Sequence, residues 1–145
     1  MRVLIQRVSR AKVSVGGGIL GSIDQGLLLL IAMEKQDTWA TLQKMADKLL
    51  AYRVFSDADG KMNLSVKDVN GGLLAVSQFT LAADTRKGLR PGFSSAAPPE
   101  RAEELYNQFV TLLKQQHKSV ATGRFAANMQ VELVNDGPVT FLLEL

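Results

Sequence analysis

Asn70-Gly71-Gly72-Leu73-Leu74-Ala75-Val76-Ser77-Gln78-Phe79-Thr80-Leu81 is the stretch on which the fold turns. Asn-Gly-Gly is a turn signal, and the four apolar residues after it are too few for a helix and continuous rather than alternating, as in a strand buried on both faces. Such a strand needs covering elements on each side. The polar pentapeptide Ser77 to Leu81 closes it, so Gln78 and Thr80 arrive on rigid backbone where strand meets loop, a usual place for a site.

The same reasoning extends outward. Residues 1–9 and 11–15 read as a strand pair, 16–18 as a glycine turn, and 19–23 and 27–33 as two more strands. Beyond Asp37, taken as the N-cap, Leu42, Met45, Ala46, Leu49 and Leu50 recur at helical spacing and predict an amphipathic helix over 38–52. Asp57-Ala58-Asp59-Gly60 opens like a calcium loop but has no closing Glu, so it reads as a turn. A second helix starts at Pro98-Pro99-Glu100, turns Ala102, Leu105, Phe109 and Leu112 inward, and ends near His117-Lys118, where a cation suits the helix C-terminus. The only histidine therefore has a structural explanation. Strands follow at 119–124, 128–134 and 139–145. The expected architecture is one α/β domain over residues 1–145, a mixed sheet flanked by two helices.

Composition agrees with a folded, undivided domain. A chain of 145 residues buries roughly 70% of its unfolded surface. Zero cysteines exclude disulfides, thiolate metal sites and cysteine nucleophiles. Met1-Arg2 runs straight into Val3-Leu4-Ile5 without the pattern of a secretory leader, and the longest apolar run, 27–33, falls far short of the roughly 20 residues that span a bilayer. A cytoplasmic protein without membrane contact is expected. The net charge is +3, with Arg2, Arg7, Arg10 and Lys12 near the start and Arg86, Lys87 and Arg90 just after the pentapeptide. These are either a solvated surface or one that faces phosphates.

The usual signatures of catalysis are missing: no Gly-x-Ser-x-Gly elbow, no paired histidines for a metal, no Walker loop and no dinucleotide fingerprint. No metal or cofactor is expected. What remains are the hydroxyls of Ser77 and Thr80, the amide of Gln78, the backbone N–H groups of 77–81, and the carbonyls about Gly137-Pro138. A threonine hydroxyl needs an adjacent base to act as a nucleophile, and none is placed nearby in sequence, so Thr80 reads either as chemistry or as a satisfied strand-end residue. Backbone donors can stabilise an oxyanion without any reactive side chain, which suits acyl transfer. In Asn135-Asp136-Gly137-Pro138-Val139-Thr140, glycine has no Cβ and proline no N–H, so the step turns carbonyls outward and admits a cis peptide. It can act as a fixed polar probe.

Five blocks in order, Gln6-Arg7-Val8, Asp59-Gly60-Lys61-Met62-Asn63-Leu64, Ser77-Gln78-Phe79-Thr80-Leu81, Asp84-Thr85-Arg86-Lys87-Gly88 and Asn135-Asp136-Gly137-Pro138-Val139-Thr140, resemble the D-aminoacyl-tRNA deacylase family over essentially the whole chain. The resemblance implies a homodimeric, tRNA-binding hydrolase that removes D-amino acids, or glycine, from tRNA as a proofreading step, with its sites at the subunit interface. It implies a cis Gly137-Pro138 that reaches into the partner's site and excludes L side chains. It places Ser77, Gln78, Phe79 and Thr80 at the reaction centre, with the 2′-OH of the tRNA assisting; Thr80 as nucleophile is the older alternative. Arg7 then braces the Gly-Pro step, where a surface ion pair is the simpler reading. Phe125 stacks on the terminal adenine or is a core strand residue, and Met129, Arg86 and Lys87 join it in contacting tRNA. The family usually carries Gly where this chain has Ala126, and Tyr-Gly where it has Ala82-Ala83. The added methyls bear on the adenosine pocket and the loop backbone.

Overall fold

The computed structural model describes all 145 residues. Eight strands and two helices follow one another as β1 (Arg2–Val15), β2 (Gly18–Ile23), β3 (Gly26–Ala32), α1 (Trp39–Ala51), β4 (Phe55–Ser56), β5 (Met62–Leu64), β6 (Gly72–Ser77), α2 (Pro99–Gln116), β7 (Val120–Thr122) and β8 (Gln130–Glu144). Six of the strands form one mixed sheet: β3, β6 and β7 run parallel in that order, while β1 is antiparallel to β2, β3 and β8. β4 and β5 form a separate small hairpin around the Asp57–Gly60 turn. In that turn the Asp57 carboxylate accepts from the amides of Asp59 and Lys61 and from Asn63 Nδ2, bonds that hold it below the usual carboxylate range.

The parallel core follows from the two Leu-rich runs. Leu27, Leu29 and Ile31 point with Leu73 and Ala75 to one face, where Leu42, Met45 and Leu49 of α1 and Leu105, Phe109 and Leu113 of α2 complete the main core. Leu28, Leu74 and Val76 point the other way, into a smaller cluster with Val8, Ala11, Val13 and Ile23. Both helices therefore cover the same face, and the sheet closes its other face by curling: Gly21 of β2 approaches Thr122 of β7 so closely that a Cβ there would lie 2.9 Å from the Thr122 carbonyl oxygen. Gly26 opposes Gly72 in the parallel register, and a side chain at Gly26 would run into the Gly72 backbone.

Several expected boundaries move. Residues 2–15 form one strand, not two, because β8 pairs along both halves while β3 and then β2 take the other edge. The strands expected at 128–134 and 139–145 likewise belong to one element, β8. The β6 strand stops at Ser77; Phe79–Ala82 is a turn of 3-10 helix, so Thr80 sits on a helical turn rather than a strand end.

Asp37 is not the N-cap of α1. Thr38 caps it, through reciprocal bonds with Thr41. Asp37, 5% exposed, instead accepts from the Met1 ammonium at 2.7 Å and from the Glu34 amide at 2.7 Å. The ammonium also meets Glu34 at 2.8 Å and the Leu145 carbonyl at 3.1 Å. Asp37→Ala removes two charge-assisted hydrogen bonds while Glu34 still pairs the ammonium, so it is expected to lower stability by about 2 kcal/mol, seen as a fall in the melting temperature. His117, as expected, ends α2, and its Nε2 bonds the Gly71 carbonyl oxygen at 2.7 Å.

Candidate active site

The end of β6 and the loop before β8 enclose a cavity of about 470 Å³, lined by Ser77, Gln78 and Phe79 on one side and Phe125 to Met129 on the other. Its floor is apolar, from Ile31, Met33, Val76, Ala102 and Val131. Tyr106 reaches it from α2, holds the Ala75 carbonyl through its hydroxyl at 2.9 Å, and packs against Phe125 with ring centres 5.9 Å apart. It is the one titratable side chain in the lining, and burial pushes its phenol up to about 12. The pocket thus offers no acid or base near neutrality. Its size and one aromatic wall suit a planar, apolar group such as a nucleobase.

At the mouth, Gln78 Nε2 donates to Thr80 Oγ1. The hydroxyl is thereby an acceptor with its own proton retained, and no carboxylate or imidazole lies beside it to remove that proton. The 3-10 turn opens at Gln78, which leaves the first amides of the turn, Phe79 and Thr80, without acceptors inside it. These two N–H groups, beside an exposed Phe79, are the donors available to a developing oxyanion.

Ala126 carries φ of +58°, in the left-handed region that costs an L residue about 1 kcal/mol. A glycine fits there without strain but loses more freedom on folding. Ala126→Gly is therefore expected to shift stability by less than about 1 kcal/mol and to leave the pocket intact, as melting and substrate KM would report.

The Gly137-Pro138 step lies elsewhere. In the β1–β8 ladder Gln6 pairs Thr140 and Val8 pairs Asn135, so Asp136 to Val139 bulge out opposite the single residue Arg7. The Gly137-Pro138 peptide is cis. Arg7 Nε donates to the Asp136 carbonyl at 2.9 Å and Nη1 to the Val54 carbonyl at 2.7 Å, while the Asp136 carboxylate stands 3.8 Å away. No residue of 135–140 lines the cavity of the same chain. Arg86 and Lys87 also lie outside it, on the 84–92 loop; Arg86 is tied to Asp84 by two side-chain bonds, at 2.9 and 2.8 Å, which hold that carboxylate well below its usual range, whereas Lys87 and Arg90 form no ion pair. Ser77, Gln78, Phe79, Phe125 and Met129 are therefore brought together, and Gly137, Pro138 and Arg7 are not. Sequence reasoning passed over Tyr106, which periodicity assigns only to a helix, and the carbonyl of Val54, which carries no side-chain signal.

A shaped apolar pocket next to free backbone donors, with no acid–base pair, is an arrangement able to support acyl transfer through positioning and backbone hydrogen bonds. The family model described as D-Tyr-tRNA(Tyr) deacylase matches residues 4–144. Proteins named D-aminoacyl-tRNA deacylase from Saccharophagus degradans and Cellvibrio japonicus are 62% and 63% identical, covering 100% and 98% of this chain and 100% and 97% of their own. A solved structure described as c-Myc DNA Unwinding Element Binding Protein is 42% identical with a TM-score of 0.96, covering 100% of this chain and 99% of that one. A probable eukaryotic D-amino acid tRNA deacylase shares the fold at a TM-score of 0.86 and 16% identity, over 99% of this chain and 98% of that one. The chain belongs to the D-Tyr-tRNA(Tyr) deacylase family.

Proposed function

We propose that this protein hydrolyses the ester between a D-amino acid and the terminal ribose of tRNA, rejecting the L form. The observation that carries the reading is the pocket itself, with two backbone donors at its mouth and no group inside that titrates near neutrality, in a chain whose relatives bear that name. The terminal adenine stacks on Phe125 in the cavity, with Met129 beside it, and the carbonyl of the ester faces the amides of Phe79 and Thr80. Water adds to the ester carbon, the bond from that carbon to the ribose 3′-oxygen breaks, and the neighbouring 2′-hydroxyl takes a proton from the attacking water as it gives its own to the departing 3′-oxygen. Gln78 and Thr80 position; Thr80 is not the nucleophile.

Selection falls to a second copy of the chain. Gly137-Pro138 does not line its own cavity, so a homodimer brings it over the partner's site, where its carbonyls hold the substrate amino group and occupy the space of an L side chain. Excluding the wrong enantiomer by clash discriminates more strongly than preferring the right one. Glycine, with no side chain, passes the same filter, so glycyl-tRNA is also a substrate. Lys87 and Arg90, free of ion pairs, and Arg86 face the tRNA backbone. The setting for such proofreading is the cytoplasm; no helix of the chain is long and apolar enough to cross a membrane.

Deacylation of D-Tyr-tRNA and L-Tyr-tRNA by the purified protein, each against buffer alone, tests this directly. Cleavage of D with survival of L is the expected result. Persistence of both, with binding indifferent to chirality, would favour the second reading, nucleic-acid binding without hydrolysis, which the name of the 42% identical structure suggests for that protein.

A further inference from the structure

The four-residue bulge Asp136–Val139 interrupts the β1–β8 ladder, so its backbone needs substitutes for the lost strand bonds. Arg7 supplies one side. The other is supplied by Asn135, whose Oδ1 accepts from the Val139 amide at 3.0 Å and whose Nδ2 donates to Thr140 Oγ1 at 3.0 Å. The amide's orientation is not arbitrary: a backbone N–H can only donate, so the atom facing Val139 must be the oxygen and the nitrogen must face Thr140. Gln6 Nε2, from the paired strand, donates to the same hydroxyl at 3.3 Å. With both its acceptor positions taken, Thr140 is left with its proton directed away from the bridge.

The consequence is geometric. Asn135 spans the excursion from its first residue to its last, closing a side-chain bridge over Asp136, Gly137 and Pro138, while Arg7 grips the Asp136 carbonyl from beneath. A loop pinned at both ends keeps its carbonyl directions within the 10–20° or so that a recognition element needs. Resting on the proposed role of Gly137-Pro138 in selection, we infer that Asn135 is the positioning residue that fixes the chirality probe, through its paired bonds to Val139 and Thr140. It touches no substrate itself.

The test compares the ratio of kcat/KM for D-Tyr-tRNA to that for L-Tyr-tRNA in four full-length proteins: wild type, Asn135→Ala, Asn135→Asp and Gly137→Ala. Asn135→Ala removes both bonds and should lower the ratio at least tenfold, mainly through faster L cleavage. Asn135→Asp can rebuild the bridge, one oxygen accepting from Val139 and the other from the Thr140 hydroxyl, and should keep the ratio within about threefold of wild type. An unchanged ratio in Asn135→Ala, beside a collapsed one in Gly137→Ala, would overturn the inference and leave the function standing. Equal collapse in the alanine and aspartate variants would overturn it too, since the bonds would then not be what matters. An unchanged ratio in Gly137→Ala would instead sink the role of the probe itself. Should Asn135→Ala fail to fold, Thr140→Val deletes one arm of the bridge at nearly constant shape; a ratio down at least threefold supports the inference, and an unmoved ratio counts against it.

Discussion

Gly137→Ala is expected to cut cleavage of D-aminoacyl-tRNA about a hundredfold and to erase most of the discrimination against L, while the protein stays folded. Gly137 has φ of +137°, where an L residue is strained by about 1–3 kcal/mol. The added Cβ would lie 2.7 Å from Val139 Cγ2, 3.0 Å from the Val139 amide nitrogen and 3.1 Å from Arg7 Nη2. Val139 is buried and Arg7 is bonded to two carbonyls, so neither yields freely, and the bulge itself must shift. The strain is small against a usual stability of about 5–15 kcal/mol, which is why folding should survive. A misplacement of about 1 Å at a recognition element costs on the order of a hundredfold in rate, which is why activity should not. Deacylation rates for both enantiomers, with circular dichroism as the control for folding, read the two effects apart. Wild-type rates in a folded variant would remove Gly137 from the site.

The second large effect concerns the nucleophile. A D-aminoacyl-tRNA ending in 2′-deoxyadenosine is expected to be cleaved at least about a thousandfold more slowly than the ribo substrate, whereas Thr80→Ala should lose no more than about thirtyfold. Removing a true nucleophile costs about 10⁴ to 10⁶ in rate. Thr80 accepts a bond from Gln78 and has no base beside it, so its loss removes a positioning contact and leaves the Phe79 and Thr80 amides in place. The 2′-hydroxyl, in contrast, is the one group proposed to move a proton in a pocket whose sole titratable side chain, Tyr106, stays neutral. The converse pattern, a dead Thr80→Ala and an unaffected deoxy substrate, would restore Thr80 as nucleophile.

The buried strands were legible because their chemistry is local: Leu27 to Ile31 and Leu73 to Val76 are continuous apolar runs, and only a sheet covered on both faces uses them. The two helices were legible from spacing, and their buried residues include every position the periodicity marks. The cap of α1 was not, because Asp is the better N-cap in isolation, and it is the distant Met1 ammonium, with the Glu34 amide, that takes Asp37 and leaves the cap to Thr38. The single long strand β1 was split in reading because its pattern changes midway, where its partner changes from β3 to β2.

The site divides along the same line. The sequence by itself narrowed the chemistry: no cysteine, one histidine at the expected end of a helix, and a polar segment ending a buried strand left two hydroxyls, an amide and backbone donors as the candidate groups. Local order of residues carried that much. Tertiary structure alone decided what meets what: Phe125 and Tyr106 come together as a pocket wall with Ser77 to Phe79 across sequence gaps that no periodicity spans, and Arg7 stands under Asp136 because a bulge slips the ladder by three residues. Composition and spacing report which groups a chain owns, but the direction in which a carbonyl or amide points depends on register, and register is set by the packing of the whole sheet.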